Sequence, residues 1–121
     1  MVQLEGIVLH SMNIDSTSRF YGALLGTEFR EEKHGDGPKH YAGHLENGML
    51  LEIYPLPKEK SSPVQVAPII ISDPSLIFRV SNLEAVLETI KEYTLGKVEL
   101  LSYGAKTCDP DGRTIYLHRV K

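Results

Sequence analysis

Two stretches decide the fold: GIVLHSMNID at residues 6–15 and SLIFRVSNLE at residues 75–84. They align without a gap, and apolar residues lie over apolar residues in both the strand-like first half and the helix-like second half. A second pair, NGMLLEIY at 47–54 and DGRTIYLH at 111–118, recurs in the same order. Landmarks repeated in one order indicate that the chain contains two copies of a single unit.

Each copy predicts the order β-α-β-β-β. Short runs of β-branched and apolar residues indicate the strands. Asn47-Gly48 predicts a hairpin, and Asp-Pro-Asp-Gly at 109–112 predicts a type I turn with proline in its second position. We expect the strands at residues 7–10, 28–32, 39–45, 49–54, 76–80, 98–102, 105–108 and 114–120.

The two predicted helices carry start and stop signals. Asn13 or Asp15 is the expected N-cap of the first helix. Ser81 is the expected N-cap of the second, with Glu84 completing a capping box. We expect the helices to end at glycines in the left-handed conformation, Gly26 and Gly96.

The composition indicates one globular domain over residues 1–121, because 41% of the residues are hydrophobic and 24% are charged. We expect a first module at about 4–55, a linker at about 56–73 with a short extended piece at 64–71, and a second module at about 74–121. The chain lacks a basic run for nucleic acid, an apolar run that could span a bilayer and the layout of a signal peptide. The single Cys108 excludes an internal disulfide, so we expect a cytoplasmic protein.

Side-chain alternation along the strands predicts two different sheet faces. Each unit has one amphipathic helix, which can cover only one face of its sheet. The face predicted under the helices is apolar: Ile7, Leu9, Leu51, Ile53, Leu76, Phe78, Ile115 and Leu117. The opposite face mixes small, apolar and ionisable side chains: Gly6, Val8, His10, Leu50, Glu52, Tyr54, Ser75, Ile77, Arg79, Thr114, Tyr116 and His118. Because ionisable side chains are costly in a core, this mixture predicts a half-polar pocket between the units.

At this point the chain resembles the vicinal oxygen chelate superfamily, which includes glyoxalase I, bleomycin-resistance proteins and extradiol dioxygenases. The resemblance rests on Phe20-Tyr21 with Leu24-Leu25-Gly26, on the strand at 49–54 and on the segment at 109–117. It implies an α+β fold in which two βαβββ modules form a cup-shaped open barrel around a site, often within a homodimer.

The resemblance also implies where a metal would be held, on the first and last strand of each module. Those positions fall on Gly6, Glu52, Ser75 and Tyr116, and only Glu52 is an ordinary ligand. We therefore expect the usual metal site to be absent and predict no cofactor, so that Zn, Ni, Mn or Fe is disfavoured. A displaced site made of His10, Glu52 and His118 is the less favoured alternative.

Three further histidines are interpreted as non-functional. His40 and His44 have the spacing of a helical metal pair, but a strand would hold them apart, so we expect surface or packing roles. His34 precedes Gly35-Asp36-Gly37 and is expected to be a solvated loop residue.

The leading functional hypothesis is a glyoxalase or bleomycin-resistance-like protein that binds a small, possibly anionic, molecule without a metal. The expected ligand-binding residues are His10, Glu52, Tyr54, Arg79, Tyr116 and His118. The alternative is a metal-dependent lyase, isomerase or dioxygenase with displaced ligands, or an enzyme in which Glu52 or His118 is a general base. A purely structural or regulatory dimer is the third hypothesis.

Overall fold

The computed structural model describes residues 1–56, 75–94 and 96–120. The first module contains β1 (Gly6–Ser11), α1 (Ile14–Leu25), β2 (Arg30–Glu32), β3 (His40–His44) and β4 (Leu50–Pro55). The second contains β5 (Leu76–Val80), α2 (Leu83–Ile90), β6 (Glu99–Leu101), β7 (Gly104–Cys108) and β8 (Thr114–Arg119). The predicted order is confirmed in both modules. The extended piece predicted at 64–71 lies outside the described residues.

Each module forms one four-stranded sheet with the same topology. The strand orders are β1-β4-β3-β2 and β5-β8-β7-β6. The first strand of each module runs parallel to the last, and the other neighbours are antiparallel. The helix after the first strand makes this parallel return possible, because parallel neighbours need a long crossover connection.

The core lies between each sheet and its helix. As predicted, the covered faces are apolar, and side chains such as Ile53 and Leu117 are fully buried. Helix α1 adds Phe20 and Tyr21, whose rings meet edge to face with centroids 5.0 Å apart. The modules meet through α1 and α2, so the covered faces and the helices between them form one core.

The helix starts follow from local hydrogen bonds. Asn13 caps α1 as predicted, and its side chain accepts from the Ser16 N–H at 3.1 Å. The prediction of Ser81 for α2 was wrong, because the cap is Asn82, which accepts from the Ala85 N–H at 3.1 Å. The helix begins one residue later than predicted, so the cap accepts from the Ala85 N–H and not from the Glu84 N–H, which a cap at Ser81 would use.

The helix ends differ between the modules. Gly26 adopts the left-handed conformation after α1, with φ of 63°. Gly96 does not end α2, which stops at Ile90 with a right-handed C-cap. A different constraint acts on Gly96: a Cβ there would lie 2.8 Å from the Cys108 sulfur. A larger residue would have to displace the Cys108 side chain, so the close approach of this loop to β7, and not a helix stop, favours the glycine.

The buried Asp109 connects the two modules. Its carboxylate, which is fully buried, accepts from the Tyr21 hydroxyl of α1 at 2.6 Å. Arg113 also donates to this carboxylate through its guanidinium and, at 3.0 Å, through its backbone N–H. Burial of Tyr21, together with the charge and hydrogen bond of Asp109, raises the pKa of the phenol well above its ordinary value. The phenol therefore remains protonated and donates.

The same turn makes three more hydrogen bonds to the first module. Asp111 accepts from the Met12 N–H at 2.8 Å and from the Thr17 hydroxyl at 2.7 Å. The guanidinium of Arg113 donates to the His10 carbonyl at 2.7 Å. We call Tyr21, Asp109, Asp111 and Arg113 the latch. The turn predicted at 109–112 is confirmed by the Gly112 N–H, which donates to the Asp109 carbonyl at 2.9 Å.

Neither of the two described helices, of 12 and 8 residues, is long enough to cross a membrane.

Removal of the latch is predicted to destabilise the whole chain. Asp109→Ala removes the buried carboxylate to which Tyr21 and Arg113 donate, and we expect a loss of about 3–5 kcal/mol in the free energy of unfolding. Tyr21→Phe removes one donor to a charged acceptor and is expected to cost about 1.5–3 kcal/mol. Urea unfolding measures both values.

Asp36→Ala, in an exposed loop, is the control and is expected to change stability by less than about 0.5 kcal/mol. A loss below about 1 kcal/mol for Asp109→Ala would contradict the role assigned to the latch.

Candidate functional site

The sheet face opposite α1 gathers ionisable side chains from neighbouring strands. Glu32 of β2 lies directly opposite His40 of β3. Ala42, two residues further along β3 and on the same face, lies opposite Glu52 of β4. We call the face with Glu32, His40, Glu52 and Tyr54 the first open face.

His40 lies at the centre of this face and is almost completely buried, with 1% of the residue exposed. Its ring stacks on Tyr54, with centroids 4.0 Å apart and an angle of 8° between the rings. Its Nδ1 lies 3.1 Å from the Pro38 carbonyl oxygen. Since a carbonyl oxygen only accepts, Nδ1 carries the hydrogen and Nε2 of the neutral ring carries a lone pair. The ring is therefore fixed in both orientation and tautomer.

Two carboxylates face this lone pair. The Oε2 atoms of Glu32 and Glu52 each lie 3.4 Å from His40 Nε2. His34 Nε2 lies 3.4 Å from the same Glu32 oxygen, and the His34 ring is 5.1 Å from that of His40. Burial, and then the charge and hydrogen bond of Glu52, raise the pKa of Tyr54. The first open face is thus an acidic, imidazole-bearing surface.

The structure revises the interpretation of the histidines. His34 is exposed, as predicted, but it is not simply solvated, because it contacts Glu32. His40 does pack, yet it also faces two acids. His44 is exposed at the far end of β3. We call Glu32, His34 and His40 the His40 cluster. No pattern in the sequence indicated that these residues come together, because their contacts depend on the register of β2 against β3, which is set by the loop between them.

A cavity of about 600 Å³ borders the first open face. Arg30, Glu32, Ala42 and His44 contribute to its lining from β2 and β3. The turn after α1 closes one side with Gly26. This volume lies within the range of small-molecule sites. Glu32 belongs both to the cavity and to the His40 cluster, so a ligand in the cavity would be adjacent to the imidazoles.

The corresponding face of the second sheet is basic and aromatic. Lys106 lies opposite Tyr116, and its Nζ is 6.0 Å from the centre of that ring. Arg79 lies opposite His118, whose ring meets Tyr103 edge to face at 4.9 Å. We call this face, which also carries Ile77, the second open face.

The residues predicted to bind a ligand divide between these two faces. His10, Glu52 and Tyr54 lie on the first sheet, and Arg79, Tyr116 and His118 lie on the second. The displaced set His10, Glu52 and His118 is likewise divided between sheets that are not hydrogen-bonded to each other. Their common role as ligand contacts remains a prediction.

The four positions implied for a family metal do not form a suitable donor set. Gly6 lies opposite Leu50, and a Cβ at position 6 would meet the Leu50 carbonyl oxygen at 2.8 Å. The backbone therefore has no room for a ligating side chain there. Ser75 and Tyr116 are weak or unusual ligands for zinc-class ions, so Glu52 is the one ordinary donor of the four.

Solved structures with the same architecture identify the fold. A glyoxylase/bleomycin resistance protein/dioxygenase domain from Frankia sp. EAN1pec has a TM-score of 0.67 at 15% identity, covering 100% of this chain and 99% of that one. The chain has the vicinal oxygen chelate fold. The fosfomycin resistance protein FosX from Mesorhizobium loti has a TM-score of 0.71 at 8% identity, with coverages of 100% and 94%.

An antibiotic-binding protein, TnmS3 from Streptomyces sp. CB03234, has a TM-score of 0.67 at 14% identity, with coverages of 100% and 98%. No family model and no curated protein matches the chain. The alignments with these three neighbours each cover 100% of this chain, which confirms the predicted α+β fold with two βαβββ modules.

The fit of Gly6 against β4 is testable. Gly6→Ala places a Cβ against the Leu50 carbonyl oxygen, so β1 must shift, and we expect a loss of about 1–3 kcal/mol in the free energy of unfolding. Ser75→Ala, at the equivalent exposed position of the second module, is expected to change it by less than about 0.5 kcal/mol. Chemical denaturation of both variants measures the difference. An equal effect at the two positions would show that position 6 has room for a side chain.

Proposed function

We propose that this chain is a glyoxalase or bleomycin-resistance-like protein that binds a small molecule on its first open face. The cavity beside Glu32 carries the proposal, because it adjoins a half-buried surface of acids, an imidazole and a phenol. A few fixed polar groups next to a concave space are typical of small-molecule sites. The neighbours TnmS3, an antibiotic-binding protein, and FosX, a fosfomycin resistance protein, support this class of ligand.

We propose that a second copy of the chain completes the cup. The modules meet through their helices, and apolar side chains remain exposed on both open faces, with Val8 at 51% and Ile77 at 65%. Exposed apolar groups on an otherwise half-polar face are typical of a surface that a partner covers. In a homodimer, the acidic first face of one protomer would be placed near the basic second face of the other.

The charges of the two faces favour a ligand with a negative group. Arg79 and His118 are adjacent in register on the second open face, and Lys106 lies beside Tyr116. Guanidinium and ammonium groups bind carboxylates and phosphates. The acids of the first open face would accept from hydroxyl or amine groups elsewhere on the ligand. A cytoplasmic location also remains our proposal.

One observation favours the enzymatic alternative, a metal-dependent lyase, isomerase or dioxygenase. Glu32, His34 and His40 bring two imidazoles and one carboxylate together, which is a donor set used by metalloenzymes. Glu52 would be a general base beside this group, because its carboxylate faces the same side.

A ligand screen by thermal shift tests the binding proposal. The metal-free protein is heated with small carboxylates, phosphate esters and antibiotics, one compound at a time. We expect at least one to stabilise the wild type, by about 2.7 kcal/mol at a concentration of about 100 Kd. The stabilisation should decrease in Glu52→Gln and Arg79→Ala, since each variant removes one charged side chain that we propose contacts the ligand.

Two variants on the helices are matched controls for this screen. Glu88→Gln on α2 and Arg19→Ala on α1 remove the same charges from exposed positions off the open faces, and they should respond as the wild type does. Stabilisation that is equal in the wild type, Glu52→Gln and Arg79→Ala would overturn the proposed site.

A further inference from the structure

We infer that Glu32, His34 and His40 form a binding site for a divalent transition-metal ion of the zinc class. One ligand atom from each of the three residues lies within 4.8 Å of the others. The site lies on the β2–β3 hairpin and uses none of the positions Gly6, Glu52, Ser75 and Tyr116 as a ligand. It goes beyond the proposed function, because it can be occupied whether or not an organic ligand binds.

The buried His40 provides the first argument. Its Nδ1–H donates to the Pro38 carbonyl oxygen, which leaves the Nε2 lone pair directed at Glu32 and Glu52. Among the described residues, Nε2 has no hydrogen-bond partner. A backbone carbonyl on one imidazole nitrogen is the usual way to orient the other nitrogen toward a metal. A lone pair that faces two carboxylates favours a cation between them, and that cation is either a proton on Nε2 or a metal ion.

The distances indicate which cation fits. Two contacts between the proposed ligands measure 3.4 Å: His40 to Glu32, and His34 to Glu32. Ligands at about 2.1 Å from a tetrahedral ion are about 3.4 Å from one another. Hydrogen bonds between an imidazolium and a carboxylate are shorter, at about 2.7–2.9 Å. The spacing therefore matches a metal shell better than a proton held between His40 and an acid.

The donor set and its exposure define the class of ion. Two imidazole nitrogens and one carboxylate oxygen suit zinc, iron, cobalt or nickel better than the oxygen-seeking magnesium and calcium. The His34 and Glu32 side chains are 73% and 42% exposed, so solvent and an incoming metal ion can reach the cluster. A water molecule there would lie near Glu52, whose carboxylate can accept its proton in a hydrogen bond.

Calorimetric titration with Zn²⁺ tests the site. The protein is prepared without a histidine tag, stripped with a chelator and titrated with zinc chloride alone, and bound metal is counted after dialysis. We expect one ion per chain in the wild type. Loss of groups that merely orient a ligand weakens metal binding by about 10–100-fold, so His34→Ala and Glu32→Gln, which remove ligands, should each weaken it by about 100-fold or more. Both positions are partly exposed, and circular dichroism should show that both variants fold.

Two neighbouring variants are controls. His44→Ala removes an exposed imidazole from the same strand, and Glu31→Gln removes a carboxylate that pairs instead with Lys39. Both should bind zinc as the wild type does. The inference is overturned if the wild type retains less than one ion after dialysis, or if His34→Ala and Glu32→Gln bind as tightly as the controls. The titration contains no organic ligand, so its failure is distinct from a failure of the proposed ligand-binding site.

Discussion

The hydrogen bonds of one buried carboxylate, Asp109, hold the two modules in their relative position. Tyr21 of α1 and Arg113 of the second module both donate to it, and a buried charge is costly without such partners. Because these contacts lie on the helix side, the modules join through their covered faces and leave both open faces available. The duplicated unit thus provides two chemically distinct open faces in addition to one shared core.

Most of the architecture could be predicted from local patterns, whereas the site could not. The alternation of apolar and polar residues in the strands and the spacing of apolar residues in the helices indicate which side chains are buried. The topology and the covered faces therefore follow from the sequence. At Ser81 the neighbouring Asn82 caps the helix instead, and Gly96 lies six residues beyond Ile90, where α2 ends. The His40 cluster and the Tyr21–Asp109 contact depend on register and on residues far apart in the chain, and nothing local indicates such contacts.

Equivalent positions in the two modules carry different side chains. In the first module His40 stacks on Tyr54, whereas in the second Gly104 lies opposite His118. The first open face is acidic around a buried imidazole, and the second carries Arg79 and Lys106. At Gly6 the close approach of β4 leaves no space for a side chain. We propose that the metal chemistry of this chain lies on the β2–β3 hairpin, and that proposal is the central claim of our account.

Anomalous diffraction at the zinc absorption edge tests this claim most directly. Crystals of the tag-free protein grown with zinc should show one strong anomalous peak per chain, bounded by Glu32, His34 and His40, with a second copy of the chain covering the first open face. A peak centred between Glu52 and Tyr116, or an empty His40 cluster, would contradict the account.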